Sequence, residues 1–223
     1  MAWLYCLYNW FVKITGYPVQ KIAVRNKIYY ENRSLQGRRI KGGAIVISNH
    51  VSVFDVAIVM FVFPTRTMRC LMAELLYKKN IFFTVFLKLL GGIKVDRNAH
   101  DYSFVNKCSK ILRKGGVIEI YPEARIPNEG EARPLPFKSS AAYIALESGA
   151  PIIPIYNSGN YFKKGGNRVI IGTPIDVREL YDSSLSHADN LKNISEILRQ
   201  RVIELGNELE RQTKGAKTEK AAV

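Results

Sequence analysis

From residue 44 onward, short apolar runs alternate with longer stretches of helical periodicity. Ala44-Ile45-Val46-Ile47 is a continuous apolar run of strand length, and four later runs at 66–70, 117–121, 152–155 and 168–171 resemble it. All five are predicted as buried strands. Helical patterns are predicted between and after them, at 53–63, 77–90, 102–114, 139–148 and 190–211. In the last of these Ile194, Ile197, Leu198, Arg201, Leu205 and Leu209 keep a helical period, so that helix is predicted to pack on the domain. Gly115-Gly116 and Gly149 stand just before strands, where helix C-caps belong. Alternation of this kind predicts an α/β fold, a mostly parallel sheet flanked by helices, over 41–211. Residues 212–223, rich in Lys, Thr, Ala and Gly, are predicted to be a disordered tail.

Residues 1–40 follow a different pattern and are predicted to be a helical extension. Its first apolar run is about 12 residues, roughly 18 Å as a helix. A bilayer core about 30 Å thick needs about 20 residues, so the run is too short to span. It also lacks the charged start and small-residue cleavage site of a signal peptide. On a helix Trp3, Leu7, Trp10, Phe11 and Ile14 share one face. Two placements fit such an amphipathic helix: packed on the domain core, or lying in the headgroup layer of a membrane. Both tryptophans of the chain fall in this segment, which favours the membrane. A second apolar stretch, 81–90, is interrupted by Lys88 and is also short for a span; it either packs in the core or lines a groove for an acyl chain.

Across 223 residues the hydrophobic fraction is 47% and the charged fraction 23%, values suited to one globular domain with a sizeable core. The net charge of +14 changes the picture, because it calls for an anionic partner. Lys13, Lys21, Arg25, Lys27, Arg33, Arg38, Arg39 and Lys41 crowd the N-terminal region, with Glu31 the one acid among them. A nucleic-acid-binding surface would interleave aromatic with basic residues on one sheet face. Here aromatic residues cluster with aliphatic ones, at the N-terminus and in 81–86, which points to an anionic membrane surface and away from nucleic acid. Cys6, Cys70 and Cys108 are scattered, with no CxxC and no histidine at ligand spacing. They read as free thiols of a reducing compartment, and no metal site is expected.

Candidate chemistry centres on Asn49-His50-Val51-Ser52-Val53-Phe54-Asp55, between an apolar strand and an apolar helix. Ser52-x-x-Asp55 reads as a capping box, predicting a helix start at Ser52. His50 then lies just outside the helix, and Asp55 reaches back to one imidazole nitrogen. That arrangement suits a general base held in one tautomer; the alternative is a satisfied histidine beside an ordinary cap. Three further segments place polar residues after apolar strands: Gly91-Gly92-Ile93-Lys94-Val95-Asp96-Arg97, Tyr121-Pro122-Glu123-Ala124-Arg125 followed by Pro136-Phe137-Lys138-Ser139-Ser140, and Pro151-Ile152-Ile153-Pro154. Ligands of open α/β sheets bind beyond the C-terminal strand ends, so Glu123 and Arg125 are expected in the crevice that holds His50. Arginine suits phosphate through its planar two-pronged fork, and Ser139-Ser140 at a helix start offers main-chain donors to an anion.

In order and content these four segments resemble the four blocks of the glycerolipid acyltransferase family, with the lysophosphatidate acyltransferases as nearest members. The resemblance covers roughly residues 45–160. It implies that His50 is the general base, Asp55 its orienting carboxylate, Arg97 an acceptor-phosphate ligand, and Glu123 and Arg125 contacts to glycerol phosphate, with Lys138 beside them. Pro151–Pro154 matches the fourth block, structural and on the acyl side. Two positions depart from the family pattern. Glu123-Ala124-Arg125 stands where Glu-Gly-Thr-Arg is usual, and Met72 stands where a lysine often precedes the Glu-Leu pair, leaving Arg69 or Lys78 for that contact. The implied reaction moves a fatty acyl group from a thioester, on acyl carrier protein or coenzyme A, to the hydroxyl of 1-acyl-glycerol-3-phosphate. It needs no cofactor and no covalent enzyme intermediate. Main-chain donors near the helix start, from around Ser52, are candidates to stabilise the oxyanion, and the sequence does not identify which. Other lysolipid acceptors, such as a lyso-ornithine lipid or a lysophospholipid, and an inactive membrane-surface adaptor are the alternatives. The expected location is peripheral, at the cytoplasmic face of the membrane. No Gly-x-Ser-x-Gly is present to supply a serine nucleophile, and neither His100 nor His187 receives a role.

Overall fold

The computed structural model describes residues 2–78, 80–95 and 103–221. Seven strands form one sheet: β1 (Lys27–Tyr30), β2 (Ala44–Ser48), β3 (Met68–Ala73), β4 (Gly92–Val95), β5 (Val117–Ile120), β6 (Ile152–Asn157) and β7 (Arg168–Ile171). Their spatial order is β1-β7-β6-β2-β5-β3-β4. Each neighbouring pair runs parallel except β6 with β7, which is antiparallel. β2 is central, pairing Ile45 with Ile118 on one side and with Ile152 on the other. Its five residues are all buried, because a parallel strand covered on both faces has no wet side.

The alternation of side chains along β2 divides the core into two layers. Ile45 and Ile47 point into the layer covered by α4 (Ser103–Arg113), α5 (Ser140–Ser148) and α6 (His187–Ala221). Ala44 and Val46 meet Ile58, Val59, Val62 and Phe63 of α2 (Asp55–Val62) and its C-cap. The short α3 (Ile81–Leu89) covers the same face further along, with Leu87 against Cys70, Met72 and Tyr121. α1 (Ala2–Val19) lies over both, touching α2 and α3.

Several sequence expectations change. The boundary drawn at residue 40 falls inside the domain, since β1 joins the sheet edge beside β7. Its run Lys27-Ile28-Tyr29-Tyr30 is four residues long within a basic stretch, too brief for a clear apolar signal. β4 escaped for a similar reason: it is an edge strand of four residues that begins with glycine. β3 lies at Met68–Ala73, displaced along the chain from the predicted 66–70. The predicted helix at 77–90 divides into a 3-10 turn, Glu74–Lys78, and α3, which Asn80 starts by accepting the Phe83 N–H at 2.7 Å. The disordered tail predicted for 212–223 is helical as far as Ala221. Gln212 ties that last stretch to the sheet, donating to Tyr30 O at 3.1 Å. Gly149 does end α5 in the left-handed region (φ +68).

α1 is amphipathic in an unusual sense. The residues it turns toward the domain are Tyr5, Asn9 and Lys13, all buried. Trp3, Leu7, Trp10, Phe11 and Ile14 are exposed, the face predicted from spacing. Lys13 Nζ donates to the main-chain oxygens of Phe63, Pro64 and Arg66, where α2 ends. Burial pulls this ammonium down to about 8. Gly16 lets α1 approach α2, because a Cβ there would meet the Phe61 ring at 2.9 Å. No helix among the described residues is long and apolar enough to cross a membrane.

Candidate active site

Parallel strands deliver their C-terminal ends to one edge, and three ends converge there: β2 runs into Asn49-His50, β5 into Tyr121-Pro122-Glu123, and β6 ends at Asn157. His50 and Asp55 meet as predicted, with His50 Nδ1 2.7 Å from Asp55 Oδ2. Asp55 is 0% exposed and the His50 side chain 19%. A carboxylate oxygen can only accept, so the proton of the imidazole sits on Nδ1 and Nε2 is left as the acceptor. Nε2 has no hydrogen-bond partner among the described residues. The ring stacks on Tyr121, centroids 4.5 Å apart at 26°.

The capping box forms only in part. Asp55 Oδ2 accepts the N–H of Ser52 (3.0 Å) and of Val51 (2.7 Å), but Ser52 Oγ accepts from Phe54 N (3.3 Å), and the regular helix begins at Asp55. The reason is that His50 draws Asp55 toward the preceding loop. Of the main-chain donors expected near the helix start, that of Ser52, like that of Val51 before it, already serves Asp55 and is not available to an oxyanion.

Asp55 Oδ1 is held as firmly. Tyr161 O–H donates to it at 2.5 Å, and Asn157 Nδ2 donates both to Tyr161 Oη and, at 3.5 Å, to the carboxylate. Asn157 is fixed in turn by Asn49: Asn157 N–H donates to Asn49 Oδ1 at 2.8 Å and Asn49 Nδ2 to Asn157 O at 2.9 Å. Sequence reasoning missed Asn157 and Tyr161, although the loop after β6 lies beyond a strand end, where such residues were to be sought. Beneath the dyad, Glu119 of β5 is buried, accepting Tyr121 O–H at Oε1, while Oε2 has no hydrogen-bond partner among the described residues. Burial pushes the Glu119 carboxyl well above the carboxylate range.

Glu123 reaches the crevice, as a brace. Its Oε1 accepts the His50 N–H at 2.7 Å and its Oε2 the Leu135 N–H at 2.8 Å. Burial raises this carboxyl, and the two N–H donors pull it partly back. Arg125 was expected to be open to phosphate. It instead grips Glu131 with both prongs, at 2.6 and 2.7 Å, and holds that carboxyl down to about 2. Ala124, between Glu123 and Arg125, stands at φ +62, the conformation suited to the glycine of the family pattern. Lys138 is exposed on the segment entering α5, with its N–H on Pro122 O at 2.8 Å. Ser139 precedes α5 without a side-chain cap. Arg97 lies outside the described residues. Arg69 lies over the Tyr5 ring, 4.2 Å from its centroid, and Lys78 and Lys94 both approach Glu74.

A family model described as Acyltransferase matches residues 21–158, over half the chain and spanning His50, Asp55 and Glu123. The chain belongs to the acyltransferase family. Among the relatives of this acyltransferase, the 1-acyl-sn-glycerol-3-phosphate acyltransferase of Bacillus subtilis is 30% identical over 137 residues, covering 59% of this chain and 66% of the relative. The enzyme of the same name from Haemophilus influenzae is 26% identical over 210 residues, covering 90% and 82%. The crystal structure of the 1-acyl-sn-glycerophosphate acyltransferase from Thermotoga maritima superposes with a TM-score of 0.57 at 18% identity, over 91% of this chain and 95% of that one. That likeness bears on the fold, and it agrees with the mostly parallel sheet flanked by helices.

Proposed function

We propose that this acyltransferase moves a fatty acyl group from a thioester to the free hydroxyl of 1-acyl-glycerol-3-phosphate, giving phosphatidic acid. The observation that carries the proposal is the His50–Asp55 dyad, with Nδ1 held by a buried carboxylate and Nε2 open at the strand edge. Nε2 takes the acceptor's hydroxyl proton as that oxygen attacks the thioester carbonyl. The tetrahedral intermediate collapses with cleavage of the C–S bond, and the imidazolium returns the proton to the departing thiolate. No covalent bond to the enzyme forms. Asp55 steadies the imidazolium without being protonated itself. The relatives are named for this acceptor, which supports the substrate assignment.

The reaction takes place at a membrane surface. α1 turns Asn9 and Lys13 inward and Trp3, Leu7, Trp10 and Phe11 outward, an arrangement costly in water and favourable in an acyl–headgroup boundary. α3 extends the exposed apolar surface with Ile81, Phe82 (84% exposed) and Val85, and Tyr8 joins the two helices by an edge contact to Phe86 at 6.4 Å. Both helices lie on the sheet face that carries Tyr121 and α2. A net charge of +14 suits the anionic leaflet on the cytoplasmic side.

A second reading, another lysolipid acceptor, draws on the occupation of Arg125 by Glu131. The test is a panel of acceptors in anionic vesicles, lysophosphatidate against lyso-ornithine lipid and lysophosphatidylglycerol, with acyl carrier protein and coenzyme A thioesters as parallel donors. Lysophosphatidate is expected to give the highest kcat/KM. A higher value for either other acceptor overturns the assignment.

A further inference from the structure

We propose that Tyr161 is a positioning residue that sets the strength with which Asp55 holds the catalytic imidazole, acting on the carboxylate oxygen that His50 does not touch. The assignment rests on the reading of His50 as the base.

Five donors surround one buried carboxylate. Oδ2 takes His50 Nδ1–H and the N–H groups of Val51 and Ser52, whereas Oδ1 takes Tyr161 O–H at 2.5 Å and, weakly, Asn157 at 3.5 Å. Tyr161 therefore supplies the principal hydrogen bond on one of the two oxygens. Such a bond draws charge away from the oxygen shared with His50, and in a buried site it is not diluted by water. The direction of Tyr161 is itself fixed. Asn157 Nδ2 donates to its oxygen, so the phenolic proton is turned to Asp55. Asn49, directly before His50, locks Asn157 through two hydrogen bonds. Histidine, its carboxylate and the phenol thus form one chain anchored at the C-terminal ends of both β2 and β6. The loop lies close to the dyad: at Gly159 (φ +69) a Cβ would approach Val51 Cγ2 to 2.9 Å.

Other titratable groups face Asp55 as well. Glu119 and Tyr121 come from β5 and its end, Cys70 from β3, and Glu123 lies beside His50. Burial raises the proton affinity of all four, Glu123 included; Glu119→Gln protein therefore provides the background for the pH measurements, and Glu123 is kept the same in every form compared, so that a difference between limbs reports position 161.

The experiment is the pH dependence of kcat in three forms of the full chain on anionic vesicles: Tyr161, Tyr161→Phe, and 3,5-difluorotyrosine incorporated at 161. Removing the phenolic donor concentrates charge on Asp55 Oδ2 and strengthens its hold on the imidazolium, so the acid limb of Tyr161→Phe is expected to move to higher pH. The fluorinated phenol is a stronger donor, and its limb is expected to move to lower pH. At pH values below the limb, kcat of Tyr161→Phe is expected to fall by up to about tenfold, one hydrogen bond's worth, while the plateau above the limb is not lowered and KM for lysophosphatidate is unchanged. Identical limbs in all three proteins, or a raised acceptor KM with an unmoved limb, overturn the proposal. If His50→Ala protein keeps wild-type activity, the reading of the base falls and Tyr161 falls with it. If His50→Ala is inactive and the limbs coincide, only the role of Tyr161 falls.

Discussion

Replacing Glu123 by glutamine removes no atom from the crevice, yet it separates a brace from a substrate ligand. Both carboxylate oxygens accept a main-chain N–H, from His50 at 2.7 Å and from Leu135 at 2.8 Å, and the residue is 3% exposed. Glutamine keeps one acceptor and replaces the other with an NH2 group. One of the two N–H donors then faces a donor. Losing a hydrogen bond to a charged group costs about 1.5–3 kcal/mol, and leaving a buried N–H unsatisfied adds about 1 kcal/mol or more. Part of this is offset because the neutral amide escapes the burial that raises the Glu123 carboxyl. A net loss of about 2–3 kcal/mol is expected. The assay is urea unfolding in detergent, paired with steady-state kinetics below the unfolding transition. A displaced His50 main chain lowers kcat while leaving KM for the acceptor near its original value. Unchanged stability with a raised acceptor KM would refute the brace and restore the substrate contact that the family resemblance implies.

Glu119 gives a prediction in pH. Burial raises its proton affinity in the folded state, so folding takes up a proton, and its contribution to stability is lost as pH rises from the unfolded value of about 4.3 through the folded one. Glu119→Gln, which can still accept from Tyr121, is expected to gain stability over the parent at pH 8 relative to pH 5; parallel pH profiles would contradict this. Ala124→Gly, at φ +62, relieves a left-handed alanine and is expected to stabilise by about 0.5–1 kcal/mol in the same unfolding assay, whereas destabilisation would show that the turn is unstrained. Leu7→Asp with Phe11→Asp, both on the exposed face of α1, is expected to reduce sedimentation with anionic vesicles at least tenfold while leaving the far-ultraviolet circular dichroism intact; undiminished sedimentation would remove α1 from the membrane contact.

Much of the central architecture could be read in advance because it rests on burial. β2, β5, β6 and β7 are strongly apolar runs, and glycines mark the ends of the helices before β5 and β6. The edge strands β1 and β4 were hidden, since each is four residues long and carries lysine. α6 runs past Arg211 because Gln212 finds an acceptor on β1, a contact between residues 182 positions apart that no local pattern contains. The candidate site divides in the same way. His50 and Asp55 are close in sequence and were paired correctly. Tyr161 and Asn157 reach Asp55 from more than a hundred residues away, brought there by the parallel pairing of β2 with β6. Glu123 lies in the crevice, and its two N–H partners are a feature that composition does not reveal, because a carboxylate filled by main-chain donors reads like an open one. The pairing of Arg125 was hidden in a related way: Glu131, six residues on, takes both prongs of its fork.

Phosphatidate formation from lysophosphatidate and an acyl thioester, followed by mass spectrometry with purified wild-type and His50→Ala proteins in anionic vesicles, tests the central claim most directly. The account predicts product from the wild type and a fall of at least a thousandfold in kcat for the variant, with its fold preserved, because the base and its oriented proton path are both lost. Equal product from the two proteins would contradict it.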